Sequence, residues 1–254
     1  NKPFVKGLKW EKIAKRTVGF SGADIENMLN EAAIAVAREK RTEVSLEDIE
    51  EAALKVKLGP SKKRLQDDIE RKMTAYHEIG HSIVAHVSAN AAPVHRVSIV
   101  SRGSALGFTL TPPDKDKLQT TKSELLDEIA VLLGGRSAEK LVFNELTAGA
   151  SSDIQRATKI ARAMVMDYGM SALGPMSFSP QYEVSYSTPW GEPAKISQKL
   201  QEKVDQEIKS IVDAGQKKAD KLLTKYRKEL DSISLKLVKV ETLDGDEFEK
   251  LMNM

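Results

Sequence analysis

The chain has 254 residues, with 39 lysines and arginines against 37 aspartates and glutamates, a formal net charge of +2. That near balance gives no reason to expect nucleic acid or an anionic membrane as a partner. No cysteine is present, which excludes a disulfide framework and any thiolate site, so a metal would have to rest on histidine and carboxylate.

Residues 1–58 read as a small helical bundle. Trp10 to Thr17 is a short helical segment, and Gly19-Phe20-Ser21-Gly22 is a turn in which Ser21 caps the next helix. That helix has Ile25, Met28, Leu29, Ala32, Ala33 and Val36 on its apolar face. Ser45 caps another, with Asp48 three residues on as a near-capping box. Such bundles serve many roles, DNA binding among them. Leu58-Gly59-Pro60 breaks the chain and places a domain boundary there, with residues 61–254 as a second domain.

Residues 61–88 are expected to form one long helix, charged over its first half. Arg96 to Val100 and Gly107 to Thr111 alternate in polarity and predict two β-strands. These would either cover the core as a hairpin or offer an exposed edge that holds an extended peptide by main-chain hydrogen bonds. Thr121 to Phe143 is helical, with Gly134-Gly135 expected to split it. The small polar stretch Thr147 to Asp153 leads into a helix over Ile154 to Tyr168, with Ser151 or Ser152 as N-cap and Asp153 in or beside its first turn. Residues 169–193, rich in proline and glycine, are expected to form a long loop. Residues 194–240 read as helical with a bend at Asp213-Ala214-Gly215, and Leu243 to Met252 as a final short helix. The fold class expected is mainly α with a small β-hairpin or sheet. No apolar run approaches the ~18 residues of a membrane span, and no signal-peptide pattern opens the chain, so it is expected to be soluble. It starts at Asn1 within a pattern already under way, and reads as a fragment of a longer protein.

The chemistry is concentrated in Ala75-Tyr76-His77-Glu78-Ile79-Gly80-His81, an H-E-x-x-H sequence inside helical apolar spacing (Met73, Tyr76, Ile83, Val84, Val87). Only four histidines occur in the chain, His77, His81, His86 and His95. Two residues four apart on a helix project from one face, so His77 and His81 can bind one ion, and zinc suits neutral imidazoles. Glu78 stands beside such an ion rather than on it, where it can take a proton from an attacking water and pass it to a leaving amine. Gly80 sits mid-helix at a cost of about 1 kcal/mol relative to alanine, which points to backbone or substrate coming close.

A third ligand is needed. The longer signature with a third histidine requires glycine and histidine where the chain has Val84 and Val87, so it is excluded. His86 points elsewhere on the helix and His95 lies at a strand entrance. A carboxylate from a later helix remains, with Glu128, Glu139, Glu145 and Asp153 open by spacing. A helix N-terminus keeps a carboxylate ionised, which favours Asp153, with Glu139 next. Aspartate in a first turn is equally ordinary capping chemistry.

Taken together, these stretches resemble the FtsH family of membrane-anchored, ATP-dependent zinc metalloproteases over nearly the whole chain. Tyr76 to His81 resembles its H-E-A-G-H. Pro93 to Ile99 resembles its following strand, and Leu133 to Glu139 its L-G-G-R-A-A-E. Thr147 to Asp153 resembles its T-x-G-A-x-x-D, whose aspartate is the third zinc ligand, and this raises Asp153 above Glu139. Gly19 to Ile25 and Asn30 to Ala33 resemble the helical lid of its AAA+ ATPase. The resemblance implies an AAA+ lid over 1–58 and a zinc metallopeptidase domain over 61–254. Zinc would be held by His77, His81 and Asp153, one ion per chain, with Glu78 catalytic. It also implies a homo-hexameric ring that degrades unfolded or misfolded proteins. Membrane attachment would run only through segments outside this chain, with this part on the cytoplasmic, stromal or matrix side.

Two departures stand out, Ile79 for the usual alanine and Phe108 for a common tyrosine. No G-x-x-x-x-G-K-[ST] phosphate loop occurs, so ATP is expected only in the full-length protein and no nucleotide-binding residue is assigned here. The contrasting reading is a non-catalytic ring-assembly module with a structural metal or none. A helical DNA-binding role would need a clustered basic face, which the sequence lacks.

Overall fold

The structure is a computed structural model that describes residues 2–62, 67–103, 105–112, 119–178 and 197–253. Its elements in chain order are α1 (Trp10–Arg16), α2 (Gly22–Arg38), α3 (Leu46–Leu58), α4 (Asp68–Val87), β1 (Arg96–Ser98) and β2 (Phe108–Leu110). There follow α5 (Lys122–Phe143), a 3-10 turn (Ala148–Ala150), α6 (Ser151–Met166), α7 (Gln198–Lys225), α8 (Arg227–Val240), β3 (Thr242–Asp244) and α9 (Gly245–Met252). The fold is mainly α with one small antiparallel sheet, as the sequence led us to expect. No described helix is long and apolar enough to cross a membrane. Contacts divide the chain into two compact units, and α4 is one continuous helix running through the division.

The first unit comprises Asn1–Glu78, Ala92–Leu118 and Asp231–Met254. In its N-terminal part, α2 and α3 close over Ile13, Met28, Ala32, Val36, Val44 and Ile49. Both helices open on reciprocal capping boxes, Ser21 with Asp24 and Ser45 with Asp48. Each cap satisfies two otherwise orphaned donors and contributes about 1 kcal/mol. Two adjacent glutamates of α3 hold arginines from the sheet region. Glu50 takes Arg96 at 2.9 Å, and Glu51 takes the buried Arg102 at 2.7 Å. The sheet has the order β2-β1-β3, with Val97 opposite both Thr109 and Leu243. Strand β3 was not expected, because three residues are too few to display alternation. It runs straight into α9 through Gly245, where a Cβ would lie 2.3 Å from the Val94 carbonyl oxygen.

The second unit comprises Ile79–Ala91 and Gln119–Leu230. Helices α5, α6 and α7 enclose Leu125, Ile129, Leu133, Ala161, Met164 and Val204. Burial would raise the carboxyl of Asp127, but Lys218 and Asn90, both bonded to it, hold it below the ordinary range.

Two local expectations are corrected. Gly134-Gly135 does not split α5, because Gly134 is where that helix meets α4. A Cβ on Gly134 would lie 2.7 Å from the Gly80 carbonyl oxygen. Gly215 lies inside α7, which stays one continuous helix past it. It seats the helix against α5, a Cβ there falling 2.6 Å from Ile129 Cγ2, and the helix ends later, at Tyr226. Helix α4 starts at Asp68 rather than near residue 61: Ser61 forms an antiparallel bridge with Arg102, and the Lys62 N–H donates to the Ser101 carbonyl at 2.8 Å. Most of the expected loop over 169–193 lies outside the described residues.

Candidate metal centre

Helix α4 buries its middle because Ala75, Tyr76, Ile79, Ile83 and Val84 fall on its packed side. Glu78 and His81 are drawn into that environment, 7% and 8% exposed, while His77 is half-buried. Buried polar groups need partners, and each has one. The carboxylate of Glu78 is met by Thr109 of β2, whose Oγ1 lies 2.8 Å from Oε2. Nδ1 of His81 lies 2.7 Å from the Val131 carbonyl oxygen of α5. A carbonyl only accepts, so Nδ1 carries a proton, and in the neutral ring Nε2 is the acceptor. Nε2 faces Asp153, with Oδ2 3.5 Å away.

Asp153 lies in the first turn of α6, whose N-cap is Ala150 and makes no side-chain cap bond, rather than Ser151 or Ser152. Thr147 caps the preceding 3-10 turn, its hydroxyl accepting from the Gly149 N–H at 3.1 Å. The α6 N-terminus therefore presents a carboxylate where the helix dipole favours negative charge.

His77, His81 and Asp153 each offer a ligand atom, and these atoms lie within 4.8 Å of one another. The other candidates are placed elsewhere. Glu139 is buried but accepts the Thr147 N–H at 3.0 Å, bracing the segment that leads to Asp153. Glu128 pairs with Arg156 at 2.8 Å, and Glu145 and His86 are exposed. The main chain of His95 is tied into the sheet through Leu110 and Gly245. Sequence reasoning missed Thr109, Val131 and the bracing role of Glu139. Of these only Thr109 left a trace, as the polar residue of an otherwise apolar strand; a backbone carbonyl such as that of Val131 leaves none.

Two imidazoles, one with its Nδ1 proton held by a carbonyl, and a carboxylate are a donor set that fits zinc. A helical domain presenting that set beside a buried glutamate belongs to the H-E-x-x-H class of metallopeptidases. The family follows from comparison. Residues 64–251 match the model of peptidase family M41, and residues 7–51 match the AAA+ lid domain. The chain belongs to peptidase family M41. It is similar to the ATP-dependent zinc metalloprotease FtsH of Thermotoga maritima, 44% identical over 257 residues, which cover 100% of this chain and 42% of that protein. The protein of the same name from Caldicellulosiruptor bescii is 45% identical over 255 residues, 99% of this chain and 41% of its own length. ATP-dependent zinc metalloprotease FtsH 1 of Thermoanaerobacter sp. is 43% identical over 256 residues, with 100% and 42% covered. The chain thus spans about two fifths of the length of the curated relatives it matches.

Proposed function

We propose that this chain is the proteolytic part of an ATP-dependent zinc metalloprotease, an endopeptidase acting on unfolded or misfolded polypeptides. The observation that carries the reading is the convergence of His77, His81 and Asp153 next to the buried carboxylate of Glu78. His77, His81 and Asp153 hold the metal. Bound there, zinc supplies a Lewis acid for the scissile carbonyl. Glu78 takes the proton of the attacking water and delivers it to the amine that leaves. Strand β2 is the sheet's edge in the order β2-β1-β3, and its outer side can hold a substrate in extended form by main-chain hydrogen bonds.

The same reading divides the chain into a lid over 1–58 and a metallopeptidase domain over 61–254, which the two family matches support. It places the domain in a homo-hexameric ring fed by an ATPase. Membrane anchoring is supplied by segments outside this chain, and the present part faces the cytoplasm, stroma or matrix. ATP binds only the longer protein. The test is Glu78→Gln, assayed with zinc analysis and an unfolded protein such as casein. Retained zinc with cleavage abolished is the expected outcome, and cleavage at the wild-type rate removes Glu78 as the base.

A further inference from the structure

The mechanism leaves one question open: what aims the general base. Glu78 is 7% exposed, so its carboxylate has exchanged most of its water for protein neighbours. Strand β2 and the residue before it supply two of them. Thr109 Oγ1 stands 2.8 Å from Glu78 Oε2 and 3.0 Å from the Glu78 carbonyl oxygen. Both are acceptors, so the hydroxyl proton is directed at Glu78, and the bond to the charged oxygen is the stronger of the two.

The second neighbour is Gly107. A Cβ at that position would come within 2.9 Å of Glu78 Oε1, 3.0 Å of its Cγ and 2.8 Å of the Ser98 carbonyl oxygen. Only a residue without a side chain lets the strand pass this close. The two residues flank both oxygens of one carboxylate. Successive side chains of a strand point to opposite faces, so Thr109 turns toward α4 while Phe108 and Leu110 turn away. Its height along the strand is fixed by pairing with the buried Val97.

We propose that Thr109 is a positioning residue for the base, and that Gly107 provides the clearance that lets the Glu78 carboxylate lie against the strand. This rests on the reading of Glu78 as the base. Strand β2 then does two things at once: its main chain faces the substrate edge, and its one inward hydroxyl sets the carboxylate that deprotonates water. Thr109 moves no proton to the substrate and touches no reacting atom.

The experiment compares the zinc-loaded chain with its Thr109→Val, Thr109→Ala, Thr109→Ser, Gly107→Ala and Glu78→Gln variants on an unstructured fluorogenic peptide. Zinc content and urea midpoints are measured alongside. Thr109→Val and Thr109→Ala are expected to lower kcat on the order of 10-fold, the usual scale for losing a partner that orients a functional group, with KM and zinc unchanged. Thr109→Ser restores the hydroxyl and returns kcat to within about twofold of wild type, and Gly107→Ala lowers kcat with zinc retained. A folded valine or alanine variant with wild-type kcat overturns the inference. So does a loss that serine does not repair, or one that follows zinc loss, since either marks a structural role. If Glu78→Gln cleaves at the wild-type rate, or the wild-type chain does not cleave, the base reading itself has failed.

Discussion

Gly80 lets α4 pass close to α5, and replacing it with alanine tests whether that crossing shapes the metal centre. The new Cβ would stand 2.5 Å from the Gly134 carbonyl oxygen and 2.8 Å from Ala138 Cβ. Ordinary carbon contacts sit near ~3.5–4.0 Å, so α4 and α5 would have to part by about 1 Å. Overpacking costs about 1–3 kcal/mol, and the upper end applies because the obstacle is backbone that cannot rotate aside. Alanine returns about 1 kcal/mol of helix propensity. The difference, near 3 − 1, is a net loss of about 2 kcal/mol. His81 is the next residue and reaches across the same crossing to Val131, so zinc affinity should fall about 10-fold with it. Urea unfolding and a competitive zinc titration measure both. Gly22→Ala is the control: a Cβ there meets nothing within 4 Å, and no destabilisation is expected. If Gly80→Ala matches wild type within about 0.5 kcal/mol, the range of an ordinary surface change, close backbone approach is not what this glycine serves.

Two further outcomes can be stated. Hydrogen bonding to Arg41 brings the Asp48 carboxyl from an ordinary 3.8 down to about 2. A group depressed in the folded state contributes its full stabilisation above its ordinary value and loses it as pH falls through the folded one, so this contribution should fade between about pH 4 and pH 2. Arg41→Ala should return the carboxyl toward 3.8 and move acid unfolding to higher pH; an Asp48 that still titrates near 2 by carboxyl NMR in that variant contradicts the assignment. For the metal, elemental analysis of dialysed protein should find zinc lost in His81→Ala and in Asp153→Ala but kept in Glu139→Gln. Zinc lost from the glutamine variant and kept by Asp153→Ala would make Glu139 the ligand instead.

Much of this molecule was legible because its signals are local. Ser21, and Ser45 with Asp48, announce helix starts within a few residues, and the His77–His81 spacing fixes two imidazoles on one face without reference to the rest of the chain. What escaped depends on partners far along the sequence. Gly134-Gly135 looks like a helix breaker until Gly80, more than fifty residues earlier, is seen to need the space. Gly215 likewise makes room for a distant partner, Ile129. Strand β3 is three residues long and exists because β1, far upstream, offers it an edge. Spacing left four carboxylates in play for the third ligand; the helix N-terminus favoured Asp153, family resemblance raised it further, and Glu139 proved to be engaged with Thr147.

The middle position of β1 has a consequence for synthesis. Its two neighbours are made far apart in time, β2 about a dozen residues after it and β3 more than a hundred and thirty later. An isolated ribbon of two strands is only marginally stable in water, and a third strand or packing against a helix is what makes it persist. A nascent chain that has already emerged with both histidines and the glutamate therefore carries this sheet as a two-strand ribbon on α4 until residues 242–244 arrive. The H-E-x-x-H helix is thus made long before the strand that completes the sheet beside it.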